Sequence, residues 1–417
     1  MFEEWFRQLV SGRRRGFAAF FFRALLFCFS VVYGFVISAR SFLYKVGFFR
    51  VYCFDVPVIS VGNITLGGTG KTPFVAWLCE YFISCGFRPA IVSRGYGSGK
   101  SSHNINDDAN DGSGGKFSVN DEYLELAARL PGVYHFQGID RVAAVSDLLK
   151  FAQSSGEKID VVILDDGMQH LRLGRDFEIV LLDAVCPFGY GYIFPRGLLR
   201  EFIGGLRRAD AVLISRANLI TQNERDAINK VAKKIAPNAI YSEIIFVPER
   251  VIYYGEVFGK SDTENGTEVE NIASGNIELG LDSIKGKNIL AFCGIGNPDA
   301  FNSMLLNCDL GGQIYFERYP DHYEYTERDV LEIISRAKKL DVDIAICTMK
   351  DFVKVSKIIA SINRNKLIDK IGVNIPIAAI KINVEFLNKE SQNKLQEKIN
   401  ISNRSRKFKR QILGDKV

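Results

Sequence analysis

The sequence predicts an α/β fold in which a mostly parallel sheet carries helices on both faces. Short β-branched and apolar runs alternate along the chain with segments of helical length, the order expected when strands and crossover helices follow one another. The runs are continuously apolar, which is typical of parallel strands buried on both faces. A glycine-rich loop joins the first run to the first helical segment, and such loops are common at strand-to-helix turns of parallel sheets.

The composition is that of a folded protein with room for two hydrophobic cores. Of the 417 residues, 47% are hydrophobic and 24% are charged, which excludes a disordered chain. The net charge of +5 allows an anionic membrane surface or a phosphorylated ligand as partner and does not require nucleic acid. The eight cysteines include no C-x-x-C pair, so we expect a reducing compartment without disulfides or a zinc site.

The most hydrophobic stretch lies near the N-terminus, and residues 1–50 are predicted to form a membrane anchor with an interfacial segment. The stretch GFAAFFFRALLFCFSVVYGFVIS (16–38) follows three arginines and approaches the length of a bilayer-spanning helix. A buried core helix and a cleaved signal peptide are the alternatives, although no cleavage-site pattern follows. The arginines predict that the rest of the chain stays on the cytoplasmic side.

Residues 51–250 are predicted to form the first α/β domain. It contains a polar, glycine-rich insertion at 97–116, which is unsuited to packing. Its predicted helices cover 73–84 and 140–153. Its predicted strands are VPVISV (56–61), PAIVSR (89–94), VVILDD (161–166), EIVLLDA (178–184) and AVLIS (211–215).

A smaller α/β domain is predicted at 288–390. It follows a linker or insertion at 251–287, which includes the polar stretch 261–276, and it precedes a basic tail at 391–417. Its predicted strands lie within NILAFCGIG (288–296), QIYFERYP (313–320), DIAICTM (343–349) and IPIAAIKINVEF (375–386).

The loop LGGTGKTP (66–73) indicates a phosphate-binding P-loop. It departs from G-x-x-x-x-G-K-[ST] because Thr65 holds the place of the first glycine. Backbone N–H groups of such a loop and the helix that follows attract phosphate, and Lys71 and Thr72 would contact phosphate and Mg²⁺. A ligand-free glycine turn is the alternative. The predicted nucleotide-binding residues are Thr65, Leu66, Gly67, Gly68, Thr69, Gly70, Lys71 and Thr72.

The strand VVILDDG (161–167) supplies the carboxylates that a P-loop site needs. Asp165 closes the strand and is predicted to hold Mg²⁺ directly or through water, with Asp166 beside it. Together with the glycine loop, this strand favours a P-loop NTPase-like site that binds a nucleotide and Mg²⁺.

At this point the sequence resembles one family, tetraacyldisaccharide 4'-kinase, the lipid A 4'-kinase of Gram-negative envelope synthesis. Asn120 stands where the family has glycine, Met168 where it has phenylalanine, and both polar insertions are longer than typical; the family tolerates a hydroxyl residue at the place of Thr65. The similar stretches are VPVISVGNITLGGTGKTP (56–73), VSRGYG (92–97), NDEYLELA (120–127), DDGMQH (165–170), FPRGLLRE (194–201), GIGNP (294–298), YPDHYEYT (319–326) and TMKDFVK (348–354).

The resemblance implies an ATP-dependent kinase. It would phosphorylate the 4'-hydroxyl of a tetraacyldisaccharide 1-phosphate at the cytoplasmic face of the bacterial inner membrane. The implied partners are this acylated disaccharide phosphate lipid and the membrane, with no nucleic acid and no obligate protein partner.

The resemblance also implies residue roles. Asp121 would be the base for the hydroxyl proton and His322 its partner, which led us to expect the second domain to close over the first. Asp166 would orient the nucleophile or bind metal through water, and Glu122 would help to hold Mg²⁺. For each of these residues an ordinary structural role is the alternative, and His170 is a secondary candidate.

Four cations in the similar stretches are predicted to bind the lipid phosphates, because arginine and lysine are the usual phosphate ligands of proteins. They are Arg94, Arg196, Arg200 and Lys350. Solvation at the surface, or for Lys350 a salt bridge at a strand end, is the alternative.

Two other function classes compete with a kinase. A membrane-associated regulatory P-loop ATPase of the partitioning type has KGGTGKT, but here Leu66 replaces that first lysine and no counterpart of DHYEYT is expected. A nucleotide-binding scaffold without catalysis is the other, although Lys71, Asp121 and His322 are all intact.

Overall fold

Parallel strands alternate with helices through most of the chain in this computed structural model, which confirms the predicted α/β fold. The structure describes residues 2–95, 121–254, 270–271, 276–364 and 375–400. The insertion predicted at 97–116, most of the polar stretch 261–276, Asn120 and the tail beyond residue 400 lie outside the described residues.

The elements alternate in the order expected from the sequence. The helices are α1 Phe2–Val10, α2 Phe17–Lys45, α3 Lys71–Ser84, α4 Asp121–Arg129, α5 Arg141–Ser154, α6 Gln222–Ile235, α7 Pro298–Leu306, α8 Glu327–Lys339 and α9 Met349–Arg364, with a further helix over 389–400. The strands are β1 Val58–Asn63, β2 Pro89–Ser93, β3 Tyr134–Gln137, β4 Val161–Asp165, β5 Phe177–Asp183, β6 Ala211–Ser215, β7 Ile240–Tyr253, β8 Glu270–Asn271, β9 Ile277–Gly280, β10 Ile289–Cys293, β11 Ile314–Arg318, β12 Ile344–Thr348 and β13 Ile377–Phe386.

The described residues group into two compact units. Unit 1 draws on the ranges Met1–Ser118, Val133–Ile245 and Glu385–Val417, and unit 2 on Val119–Gly132 and Phe246–Val384. Helix α4 therefore packs in unit 2, although it lies within the range 51–250 predicted for the first domain. The domain boundaries set out above remain predictions.

In unit 1 the strands form a parallel sheet in the order β7-β6-β5-β1-β4-β2-β3. β1, β2, β4 and β6 are buried along their whole length, because helices cover both faces of such a sheet. Parallel strands all end at one edge. The register that pairs Val61 of β1 with Asp165 of β4 brings the glycine loop and the acidic turn to that edge.

In unit 2 the parallel strands follow the order β11-β10-β12-β13, and β9 runs antiparallel to β7 and β8. The main core lies between this sheet, α8 and α9, and it includes Phe292, Ile334 and Phe352. Helix α4 packs against this core through Ala128, and its Arg129 Nη1 donates to the Ile382 carbonyl of β13 at 2.5 Å. The unit thus gathers residues that lie far apart in the sequence.

Helix α2 confirms the predicted N-terminal hydrophobic helix. It has 29 residues, and it is long and apolar enough to cross a membrane. Many of its phenylalanine and valine side chains are exposed. On its inner side Gly34 allows a close approach, because a Cβ there would lie 3.1 Å from the Phe202 ring.

The sequence analysis missed β3 and the long strand β7. β3 reads Tyr-His-Phe-Gln, and its polar residues His135 and Gln137 are buried beside Ser93 of β2. A buried strand whose inner polar groups are hydrogen-bonded lacks the apolar run by which we recognised the others.

The packing of β1 against the turn after β4 predicts the effect of one substitution. A Cβ on Gly62 would lie 2.5 Å from Met168 Cβ and 2.9 Å from the Met168 backbone nitrogen. We expect Gly62→Ala to lower the free energy of unfolding by about 1–3 kcal/mol through overpacking. The matched control is Gly280→Ala, because a Cβ there would meet nothing within 4 Å and should change stability by less than about 0.5 kcal/mol. Denaturant unfolding in detergent measures both, and equal stability of the two variants would contradict the packing described.

Candidate active site

The glycine loop of unit 1 joins β1 to α3 in the conformation that a P-loop requires. Gly67 and Gly70 have φ angles of 105° and 80°, a left-handed backbone that side chains other than glycine adopt at a cost. Gly70 immediately precedes α3, so the N–H groups at the start of that helix face the loop and favour an anion.

Thr65 does not need to be glycine, because it lies in an extended bridge. Thr65 pairs with Leu199 in antiparallel fashion, and the Leu66 N–H donates to the Leu198 carbonyl at 2.7 Å. The entrance of the loop is thus held by the segment that follows Arg196. The departure of Thr65 from the usual pattern therefore leaves the inner glycines free to adopt their conformations.

Ser215 and Arg216, at the carboxyl end of β6, hold the outer side of the loop. The Ser215 hydroxyl donates to the Thr69 carbonyl at 2.8 Å, and Arg216 Nη2 donates to the Gly68 carbonyl. Arg216 Nη1 also bonds Asp183 at 3.2 Å, which fixes the guanidinium. We had not predicted either residue from the sequence; their place directly after a buried parallel strand was the available signal.

Asp166 lies between two cations. Its carboxylate is 3.5 Å from Lys71 Nζ, and Arg200 Nη1 bonds its two oxygens at 2.7 and 2.9 Å. Burial raises the pKa of Asp166, but the charges of Lys71 and Arg200 outweigh that effect and bring this pKa down to about 2. Asp166 also has a left-handed φ of 53°, a strained backbone of the kind often found at functional sites. The structure thus brings together Lys71, Asp166 and Arg200, which the sequence analysis named separately.

A partly buried polar network fixes Arg200. Its guanidinium donates to Gln169 Oε1 at 3.2 Å, and Gln169 Nε2 donates to Glu201 Oε1 at 3.0 Å. Arg208 then bonds both oxygens of Glu201 at 2.8 Å. Because every member is held by a neighbour, the orientation of Arg200 depends on both the DDGMQH and the FPRGLLRE stretches.

The two predicted metal ligands of unit 1 offer oxygen donors at the same edge of the sheet. Asp165 is the last residue of β4 and is buried, and Thr72 is the second residue of α3. Within the described ranges no group of three or more His, Cys, Asp or Glu residues could by itself hold a metal ion.

The other predicted residues of unit 1 lie in different surroundings. Arg94 is exposed directly after β2. Arg196 donates to the Val10 carbonyl at 3.1 Å and stacks on the Tyr192 ring at 4.2 Å, so it contacts the end of α1 and is not held by Asp166. Burial and the charge of Arg141 lower the pKa of His170 to about 4, which makes His170 neutral at physiological pH.

In unit 2, Asp121 and His322 form a hydrogen-bonded pair. His322 Nδ1 lies 3.1 Å from Asp121 Oδ2. Asp121 opens α4 and is mostly buried, whereas His322 lies on the loop after β11 with a left-handed φ of 56°. The His322 N–H donates to the Gly294 carbonyl at 3.1 Å, which fixes this strained backbone.

The pair is electrostatically coupled. Burial raises the pKa of Asp121, but the hydrogen bonds from His322 and Lys354 lower it to about 2. The hydrogen bond to Asp121 in turn raises the pKa of His322 above 6.5, against the opposing effects of burial and Lys350. A proton that reaches the pair is therefore held by the imidazole, and the carboxylate stays charged.

Lys350 and Glu122 flank this pair. Lys350 Nζ is 3.3 Å from His322 Nε2 and 3.9 Å from Asp121 Oδ2. Glu122 follows Asp121 at the start of α4 and is half-buried. The structure thus brings Lys350, which we had predicted as a substrate ligand, into contact with the imidazole.

The contact between Asp121 and His322 lies inside unit 2. We had expected His322 to reach Asp121 only if a second domain closed over the first. Because α4 packs in unit 2, the pair forms without such a movement.

The chain is similar over most of its length to tetraacyldisaccharide 4'-kinases. The LpxK family profile, described as tetraacyldisaccharide-1-P 4'-kinase, matches residues 22–400. The tetraacyldisaccharide 4'-kinase of Halothermothrix orenii is 33% identical over 374 residues, covering 87% of this chain and 90% of the relative. That of Desulfatibacillum aliphaticivorans is 36% identical over 341 residues, covering 80% and 84%. A solved structure, the "apo" form LpxK from Aquifex aeolicus in complex with ATP, is 27% identical with a TM-score of 0.59, covering 91% of this chain and 99% of that chain.

The contacts of Arg216 predict that it rigidifies the glycine loop. Arg216→Ala removes the hydrogen bond to the Gly68 carbonyl. A hydrogen bond contributes about 1 kcal/mol, which corresponds to roughly a five-fold change in the equilibrium constant for local opening of the loop. Amide hydrogen exchange in residues 67–70 should accelerate by about that factor. The control is Arg207→Ala, which alters an exposed arginine of the same unit. Exchange in the loop that is the same in both variants would show that Arg216 does not restrain it.

Proposed function

This chain belongs to the tetraacyldisaccharide-1-P 4'-kinase family, and from that membership we propose how its residues carry out the reaction. The chain is an ATP-dependent kinase of lipid A biosynthesis that phosphorylates the 4'-hydroxyl of a tetraacyldisaccharide 1-phosphate. A regulatory ATPase does not account for the family match, which runs through both units. The observation that carries the mechanism is the pair of Asp121 with His322.

Unit 1 holds the nucleotide in this proposal. The inner glycines leave N–H groups at the start of α3, and residues 65–72 would surround the phosphates. Lys71 directly follows the loop, beside Asp166, and would bind a phosphate oxygen. The ATP in the related solved structure supports this assignment.

Asp165 and Thr72 of unit 1 would hold Mg²⁺, and the role of Glu122 as a ligand stays a prediction from the sequence. Their carboxylate and hydroxyl oxygens are the donors that Mg²⁺ prefers, and Mg²⁺ at nucleotide sites takes few protein ligands because phosphate and water supply the rest. When bound, the ion offsets charge on the phosphates.

Asp121 and His322 take the proton. As the 4'-oxygen forms its bond to the γ-phosphorus, the bond from phosphorus to the β–γ bridging oxygen breaks and ADP leaves. The hydroxyl proton passes to the pair, where the raised pKa of His322 retains it while Asp121 stays anionic. Such a base contributes about 10²–10⁴-fold in rate, and positioning contributes most of the remainder.

The lipid substrate accounts for the N-terminal helix. Acyl chains stay in the bilayer, so the enzyme must work at its surface, and α2 with its exposed apolar side chains associates the chain with a membrane. We place the enzyme at the cytoplasmic face of the inner membrane because arginines precede α2. Arg94, Arg196, Arg200 and Lys350 are proposed ligands of the lipid phosphates.

The direct test offers labelled ATP and Mg²⁺ with tetraacyldisaccharide 1-phosphate in detergent micelles. We expect label to appear on the lipid in the full-length protein and to fall by about 10²-fold or more in Asp121→Asn, with nucleotide affinity retained. ATP hydrolysis that ignores the lipid, or nucleotide binding without any turnover, would contradict a kinase.

The pair also predicts a pH dependence. A base must be unprotonated, and the pKa of His322 is raised above 6.5, so wild-type activity should fall as pH drops through a value above 6.5. This fall is the acidic limb of the profile of rate against pH. In His322→Gln only the Asp121 carboxylate remains to be protonated, so the acidic limb should move to lower pH by more than about one pH unit while the maximal rate falls. An acidic limb that is unchanged in His322→Gln would assign it to another group.

A further inference from the structure

Lys354 directs its ammonium group at the same carboxylate oxygen that His322 contacts. Its Nζ lies 2.8 Å from Asp121 Oδ2. It also donates to the Tyr323 carbonyl at 3.0 Å and to Glu324 Oε1 at 3.1 Å. An ammonium group has three donors, and these three acceptors match that number.

The three bonds join three parts of unit 2. Asp121 opens α4, Lys354 lies in the second turn of α9, and Tyr323 directly follows His322 on the loop after β11. Only 9% of the Lys354 side chain is exposed, so the ion pair is shielded from solvent and exceeds an exposed pair in strength. Lys354 therefore links α4 to the histidine loop in addition to the direct contact between Asp121 and His322.

We propose that Lys354 is a positioning residue for phosphoryl transfer, which holds the Asp121 carboxylate in line with the His322 ring. This inference rests on the kinase function proposed above. Lys354 acts through Asp121 and does not itself touch the reacting atoms, because its three donors are engaged within the protein. Its neighbour one turn earlier, Lys350, differs because Lys350 contacts the outward ring nitrogen of His322.

The charges around the pair give the sign of the pH effect. The charged groups that act on the pair are Lys350 and Lys354 from α9 and Asp321 from the histidine loop, and Glu324 of that loop contacts Lys354. Glu122, Glu125 and Arg129 lie on the same helix as Asp121. Removing the Lys354 ammonium leaves one positive charge fewer near the pair, so protonation of the His322 ring becomes more favourable. The acidic limb of the rate profile should therefore move to higher pH.

The experiment compares four variants of the full-length protein in detergent micelles: Lys354→Met, Lys354→Gln, Lys354→Arg and Lys357→Met. Lys357 is exposed on the same helix and serves as the matched control. For Lys354→Met we expect kcat to fall by about 10–100-fold, the effect of a misplaced reacting group. We expect the KM for ATP to stay within about two-fold of the wild-type value, because the substitution removes no contact with the nucleotide. The acidic limb of the rate profile should move up by about one pH unit. Lys354→Arg should keep the limb in place, and Lys357→Met should resemble the wild type throughout.

The inference fails if Lys354→Met keeps the wild-type kcat, or if kcat falls without movement of the acidic limb, since a merely structural lysine would give that second result. If thermal unfolding shows that Lys354→Met is not folded, the acidic limb of the rate profile is measured in Lys354→Gln. This variant keeps a hydrogen-bond donor and loses the charge. An unshifted limb there overturns the inference. A wild type that never phosphorylates the lipid overturns the kinase proposal and this inference with it, whereas an active wild type with an equally active Lys354→Met overturns this inference alone.

Discussion

The carboxyl ends of parallel strands share one edge of a sheet, and this constraint gathers the functional side chains of each unit. In unit 1 the glycine loop follows β1, Asp166 follows β4 and Arg216 follows β6. In unit 2 His322 follows β11 and the two lysines follow β12. The buried sheets supply rigid positions, and the loops supply the chemistry. Residues that are distant in sequence therefore meet because the strands that precede them end at the same edge of a sheet.

Paired opposite charge is the second feature common to both units. Asp166 and Asp121 are each largely removed from solvent, which raises the pKa of both. Lys71 and Arg200 bring the pKa of Asp166 down to about 2, and the hydrogen bonds from His322 and Lys354 do the same for Asp121. Breaking such a pair leaves an uncompensated charge, so each cation also constrains its carboxylate in space. In the proposed phosphoryl transfer these paired charges would act as preorganised groups, which need little reorganisation during the reaction.

Much of this arrangement could be predicted from the sequence, and the exceptions have physical causes. The apolar strands, the glycine loop, Asp165 and α2 all have local patterns that reflect their surroundings. The strand β3 does not, because its inner face carries His135 and Gln137 in place of apolar residues. The packing of α4 in unit 2 could not be predicted from the sequence either, since chain order does not fix which core a short helix joins. Arg216 and Lys354 are single basic residues without a motif of their own, and only the coordinates reveal which carboxylate or carbonyl each one bonds.

The protonation of His322 tests the central claim most directly. The chain has only four histidines, so nitrogen-15 labelling of histidine allows each ring to be followed by NMR as pH changes. His135 and His170, whose pKa values are lowered to about 3 and about 4, should stay neutral over the range, and His103→Gln identifies the remaining signal. The account predicts that His322 titrates above 6.5, with its proton on Nδ1 in the neutral form, and that Asp121→Asn lowers this value. A value at or below 6.5 that is unaffected by Asp121→Asn would contradict the pairing on which the mechanism depends.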